Sequence, residues 1–167
     1  MAVTRKEPLW SKPSHRHKTA GTASPNHAKA GGVGHRASLG FGSETIPRII
    51  EQIDAGFPYA LLEAFQKSTR LPIETVAGLV RLPARTLSRR RAAGKLLPDE
   101  SERLFRLSKL VDKATALFEG DMAAAIQWLQ TPQPALAGRQ PLEFARTEIG
   151  AREVEDLIGR LEHGVFS

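Results

Sequence analysis

The chain contains no cysteine, which excludes a disulfide framework, a thiolate metal site and a cysteine nucleophile. It has no apolar run near the roughly 18 residues that a membrane span requires. The N-terminal stretch lacks an apolar h-region followed by a small-residue cleavage site, so a cytoplasmic protein with no membrane partner is expected. The glycines Gly31-Gly32-Val33-Gly34 are too short a run for a phosphate-binding loop and no helix follows them. With no metal-ligand cluster either, no cofactor, metal or catalytic residue is expected. An enzyme ranks far below a binding protein.

What is present is charge, unevenly placed. The 167 residues suffice for one ordinary domain or two small ones, and the formal net charge is +6. Residues 1–45 hold seven basic and two acidic residues, residues 46–107 hold eleven and seven, and residues 108–167 hold six and nine. The chain therefore runs from basic to acidic. A basic surface gains affinity for polyanions through counterion release, whereas an acidic one suits a protein partner better. The asymmetry suggests two jobs on one chain.

Residues 1–45 read as a flexible basic arm. His15, His17, His27 and His35 lie there among Lys, Ser, Thr, Pro and Gly, with no zinc-site spacing and little to bury. Order is expected from Ile46, because Ile46, Ile49, Ile50 and Ile53 recur at helical spacing after Pro47. Gly56 and Pro58 separate this helix from one carrying Leu61, Leu62 and Phe65. Breaks at Ser68–Pro72 and around Pro83 delimit two short helices, about 72–81 and 83–93, the second closed by Gly94. Pro98 opens a long helix to Phe118 with Leu104, Leu107, Val111, Ala114 and Phe118 as a narrow seam. Asp121 fits the N-cap of a short helix ending near Gln130. Pro141 starts another through Arg146, and a last helix after Gly150 has Val154, Leu157, Ile158 and Leu161 on one face. No segment shows a convincing two-residue period. The expected fold is all-α in two lobes: a helix-turn-helix domain at 46–97 and a small helical domain at 98–167.

The segment 73–89 fits a helix-turn-helix. Ala77 is the small residue where two steeply crossed helices approach, and Val76, Val80, Leu82 and Leu87 form their shared core. Arg85, Ser88 and Arg89 then face outward for a major groove, while Arg90, Arg91 and Lys95 are candidates for phosphate contact. The other reading of these residues is an Arg-rich solvated helix that only supports the fold. Many such turns carry glycine where this chain has Arg81, and a non-glycine residue there must adopt a strained backbone or a different turn.

Several strings recur in family order from about Thr86. Leu87-Ser88-Arg89-Arg90-Arg91-Ala92-Ala93-Gly94-Lys95-Leu96 leads into Pro98-Asp99-Glu100-Ser101-Glu102-Arg103-Leu104. Then come Ala125-Ile126-Gln127-Trp128-Leu129-Gln130-Thr131-Pro132 and Pro134-Ala135-Leu136-Ala137-Gly138-Arg139-Gln140-Pro141-Leu142. Thr147-Glu148-Ile149-Gly150-Ala151-Arg152-Glu153-Val154 opens the last helix, which ends in Leu161-Glu162-His163-Gly164-Val165-Phe166-Ser167. Together these resemble the Xre/MbcA/ParS-type antitoxins with a C-terminal toxin-binding domain. The resemblance implies a type II toxin–antitoxin system whose toxin is a RES-domain protein, related to ADP-ribosyltransferases and using NAD⁺. It also implies an antitoxin that dimerises, enters a higher-order toxin–antitoxin complex, binds the operator DNA of its own operon and blocks the toxin's active site with its C-terminal region.

Candidate toxin-binding residues are Arg152, Arg160, His163, Val165, Phe166 and Ser167. The arginines suit charge-assisted contacts. Phe166 reads equally as a packed terminus or as an aromatic plug in a toxin pocket. His163 suits the end of a helix, where a protonated imidazole meets the dipole. Trp128, between Ile126 and Leu129, reads as core. The rival to an antitoxin is a helix-turn-helix transcriptional regulator whose C-terminal domain only dimerises or senses a ligand.

Overall fold

Proline decides where most helices begin. The fixed φ of proline suits a first turn, and its missing amide costs nothing where that amide has no intrahelical partner. In the computed structural model, which describes residues 39–41 and 44–164, six of the eight helices start at a proline. Pro47, Pro98 and Pro141 lie in the first turns of α1 (Ile46–Ala55), α5 (Pro98–Leu117) and α7 (Pro141–Phe144). Pro58, Pro72 and Pro83 are the extended residues just before α2 (Tyr59–Thr69), α3 (Ile73–Leu79) and α4 (Ala84–Ala93). The other two use side-chain caps. Asp121 accepts the Ala124 amide to start α6 (Met122–Gln130), and Thr147 accepts the Gly150 amide to start α8 (Glu148–His163). A 3-10 turn at Pro134–Leu136 lies between α6 and α7. No strand occurs among the described residues, and the fold is all-α as the sequence predicts. No described helix is long and apolar enough to cross a membrane.

The centre of the fold is α5. Leu104, Leu107, Val111 and Ala114 of the predicted seam are buried, Phe118 is half-buried, and Leu110 is buried outside it. A narrow stripe does not suffice because α5 packs against α1 on one side and against α6 and α8 on others. α8 contributes Ala151, Val154, Leu157 and Ile158, and α6 contributes Ala125, Ile126, Trp128 and Leu129. Trp128 is core, with its ring 6.3 Å from that of Phe118. These side chains join those of α2 and α3 in one contiguous apolar core, so helix-turn-helix and C-terminal elements share an interior.

Three expectations change. Ile46 and Ile50 stay exposed at 63% and 52%, because α1 rests on α5 along its Ile49–Ile53 edge. Order begins before Ile46: Leu39 is buried, and Phe41 stacks on Phe57 at 5.2 Å and meets Phe105 edge-on at 5.7 Å. The rest of the predicted arm, with its four histidines, lies outside the described residues. The last helix starts at Glu148, two residues before Gly150. Gly150 sits inside its first turn because a Cβ there would stand 1.9 Å from the Phe144 carbonyl oxygen.

Candidate functional site

Helices α3 and α4 and the turn between them form the helix-turn-helix. Val76, Ala77, Val80 and Leu82 are buried and Leu87 is half-buried, as the spacing of those residues predicts. The Leu82 amide donates to the Ala77 carbonyl at 2.7 Å, closing the turn over the small residue. Arg81 takes the glycine-like conformation itself, with φ at +58°. That backbone costs a non-glycine residue about 1 kcal/mol.

No side chain of α4 is fully buried. Arg85, Ser88 and Arg89, three and four residues apart, share one solvent-facing side, while Thr86, Leu87 and Arg90 turn inward. The Ser88 hydroxyl donates to the Ala84 carbonyl, leaving its oxygen free to accept. Arg91 is exposed and loosely paired with Glu63 at 3.8 Å, and Lys95 is exposed just past the Gly94 cap. Burial raises the pKa of the nearby Tyr59 phenol, with Arg91 opposing and Glu63 reinforcing the shift.

Arg90 has a different position from the one its sequence neighbours suggest. Its Nε donates to both carboxylate oxygens of Glu100, at 2.7 and 3.0 Å, and both side chains are largely out of solvent. The Glu100 hydrogen bond raises the guanidinium pKa further. Arg90 therefore joins α4 to α5 and is withdrawn from a phosphate, because its charge is paired with Glu100 and its side chain is largely out of solvent.

The structure adds residues that the sequence did not single out, all in the first turns of α5. Glu100 also accepts the Leu97 amide at 2.8 Å, one half of a capping box. Ser101 accepts the Phe57 amide and donates to the Leu97 carbonyl, both at 2.8 Å. Arg103 donates to the Val80 carbonyl at the end of α3, at 3.1 Å. A two-residue ladder completes the frame: Tyr59 donates to Gly94 and Leu96 donates to Phe57. Gly56 permits this approach, since a Cβ there would lie 2.3 Å from the Leu96 carbonyl oxygen. Glutamate three residues past the N-cap Leu97 was the one visible signal. Its reach to Arg90 was not visible.

The C-terminal candidates lie along α8. Arg152 is exposed and paired with Glu148 one turn earlier. Arg160 and His163 are exposed in the last turn, before the left-handed Gly164 cap. Arg152 and Arg160 are eight residues apart, or about 12 Å along the axis, so they form separate patches. Val165, Phe166 and Ser167 lie outside the described residues.

Comparison with known proteins covers both halves. Residues 48–109 match the Antitoxin Xre-like helix-turn-helix domain, a span that includes the anchoring turns of α5. Residues 113–164 match the Antitoxin Xre/MbcA/ParS C-terminal toxin-binding domain. Fold and matches thus define an all-helical antitoxin class of protein, with a helix-turn-helix ahead of a toxin-binding domain. An Antitoxin Xre of Yersinia enterocolitica is 41% identical over 120 residues, covering 71% of this chain and 81% of that relative. One of Photorhabdus laumondii is 33% identical over 131 residues, covering 78% and 88%. A third, of Pseudomonas putida, is 34% identical over 84 residues, about half of each chain. The chain belongs to the Xre antitoxin family.

Proposed function

We propose that this protein neutralises a RES-domain toxin by covering its active site with the C-terminal domain, and that α4 binds operator DNA to repress its own operon. It acts by binding and carries no catalysis of its own, as a cytoplasmic homodimer that enters a higher-order complex with the toxin. The match of residues 113–164 to a toxin-binding domain carries the first part of this reading. On that domain, the proposed contacts are Arg152, Arg160 and His163 along α8, with Val165, Phe166 and Ser167 beyond it. The proposed division is a helix-turn-helix domain at 46–97 and a toxin-binding and dimerisation domain at 98–167.

The observation that supports DNA binding is a helix with arginines on its outer side and no buried side chain of its own. Arg85, Ser88 and Arg89 are the proposed base-reading residues, and Arg91 and Lys95 the phosphate contacts. Arg90 drops out of that set. Two such helices in a dimer would meet half-sites about 34 Å apart.

The toxin arm is tested by expressing the product of the neighbouring open reading frame with and without this chain. Growth arrest relieved by co-expression is expected. Arrest that persists in the presence of bound chain would leave a regulator whose C-terminal domain only dimerises or senses a ligand. For DNA, Arg85→Ala should relax sequence preference by about 1–3 kcal/mol at one base position, and Arg91→Ala should weaken all sites similarly and flatten the salt dependence. Unchanged operator titrations for both variants would remove α4 as the reading helix.

A further inference from the structure

An open cleft of about 500 Å³ lies between the helix-turn-helix and the C-terminal elements. Arg81 from the α3–α4 turn lines it together with Arg139 and Arg146 from the segments flanking α7. A smaller neighbouring cleft of about 220 Å³ shares Arg146 and runs on between α3 and the end of α6.

The three arginines are distinguished by being gathered on one cleft without a carboxylate partner. In residues 108–167, Lys113 pairs with Glu155 and Arg152 pairs with Glu148. Arg139 and Arg146 pair with no carboxylate among the described residues, and neither does Arg81. This holds although Glu143 and Glu153 line the same cleft. The Arg139 guanidinium instead lies over the Phe144 ring, 5.0 Å from its centroid, an arrangement that leaves its edge N–H groups free to donate.

Two further observations point to a partner. Arg81 holds a left-handed backbone, φ +58°, that glycine would adopt without strain, so the turn itself gives no reason for arginine there. Ile149, at the rim, is 80% exposed. A lone exposed isoleucine needs no explanation. One placed beside an aromatic ring and three unpaired guanidiniums forms a mixed surface typical of protein interfaces, which are rich in arginine and aromatic residues. A phosphate backbone would gain nothing from Ile149.

We propose that this cleft is a docking site for an acidic segment of the toxin, with Arg81, Arg139 and Arg146 taking its carboxylates and Ile149 with Phe144 receiving an apolar side chain. The proposal rests on the toxin-binding reading above and extends the contact surface from α8 to the helix-turn-helix turn. One bound partner would then touch both halves of the chain.

The test uses the full-length chain and the purified product of the neighbouring open reading frame. The triple variant Arg81→Glu, Arg139→Glu, Arg146→Glu should lose at least about 100-fold in affinity, read by calorimetry. The wild-type affinity should fall with salt, and the variant's residual affinity should not. Ile149→Asp, on a largely exposed side chain, should lose about tenfold with the same helical circular dichroism and melting midpoint. Affinity within threefold of wild type for both variants would overturn the cleft while leaving the toxin-binding reading intact, because the wild-type chain still binds. A wild-type chain that does not bind the product overturns both. Loss of operator affinity in the triple variant with unchanged toxin affinity would mark the cleft as a phosphate-binding surface and also refute the proposal.

Discussion

Helices α4 and α8 are both rich in charge and both lie at the surface, yet they are held in place in opposite ways. α8 is fixed along its length: Ala151, Val154, Leu157 and Ile158 are buried in the shared core. α4 buries no side chain fully; Leu87 packs partly against the core, and polar contacts hold the helix at its two ends. At its N-terminus the turn closes on Ala77 and is tied to α5 through Arg103. At its C-terminus, Arg90 meets Glu100 while Gly94 accepts the Tyr59 amide. A helix anchored through its ends keeps its whole outer side available to a groove. One anchored through a face can offer only the opposite face. The difference teaches that a reading helix is positioned by polar contacts that a hydrophobic pattern does not reveal.

The largest expected effect separates the two helices directly. Leu157→Ala on α8 should cost about 3 kcal/mol of unfolding free energy in urea, from lost burial and the cavity left behind. Arg89→Ala on α4 should stay within about 0.5 kcal/mol of wild type. If Arg89→Ala proved as costly, α4 would be packed more like α8 than the structure has it.

Next come the glycines of α8. Gly150→Ala should destabilise by about 2 kcal/mol, since the new methyl must displace the Phe144 carbonyl. Gly159→Ala should stabilise by about 1 kcal/mol, as nothing lies within 4 Å of its Cβ position. Thermal melts of the pair locate where that helix is crowded.

Glu100→Gln sharpens the contrast from the other side. It removes the charge that holds Arg90, so amide-exchange protection in α4 should fall about tenfold while that of α8 holds. An equal fall in both helices would mean that α5 as a whole had loosened. The smallest effect concerns the turn. Arg81→Gly should raise stability by about 1 kcal/mol by relieving the left-handed backbone, while lowering affinity for the toxin. A rise in stability without that loss would make Arg81 a bystander of the cleft.

The helices were legible because their boundaries are written locally. Proline at six starts, Asp121 at a seventh and Gly94 after α4 act within one turn of where they stand. The pairing of Val76 with Val80 was legible for the same reason, since four-residue spacing places those side chains together whatever surrounds them. Arg90 was misread because the four arginines between Arg85 and Arg91 look alike in one dimension, and only Arg90 is held by a carboxylate at hydrogen-bond distance. Ile46 and Ile50 were misread because an apolar stripe shows what a helix offers, and not how much of it a neighbour covers.

By itself the sequence determined an all-helical chain, the helix-turn-helix within it, the exposed side that carries Arg85 and Arg89, and the resemblance to a toxin-binding domain. Each depends on short-range spacing or on strings of neighbouring residues. Only the tertiary structure decided that Glu100, Ser101 and Arg103 frame α4 from the next helix, and that Arg81, Arg139 and Arg146 line one cleft. Those groupings join residues up to 65 positions apart, and chain spacing carries no information about contacts made only when α5 is packed against its neighbours.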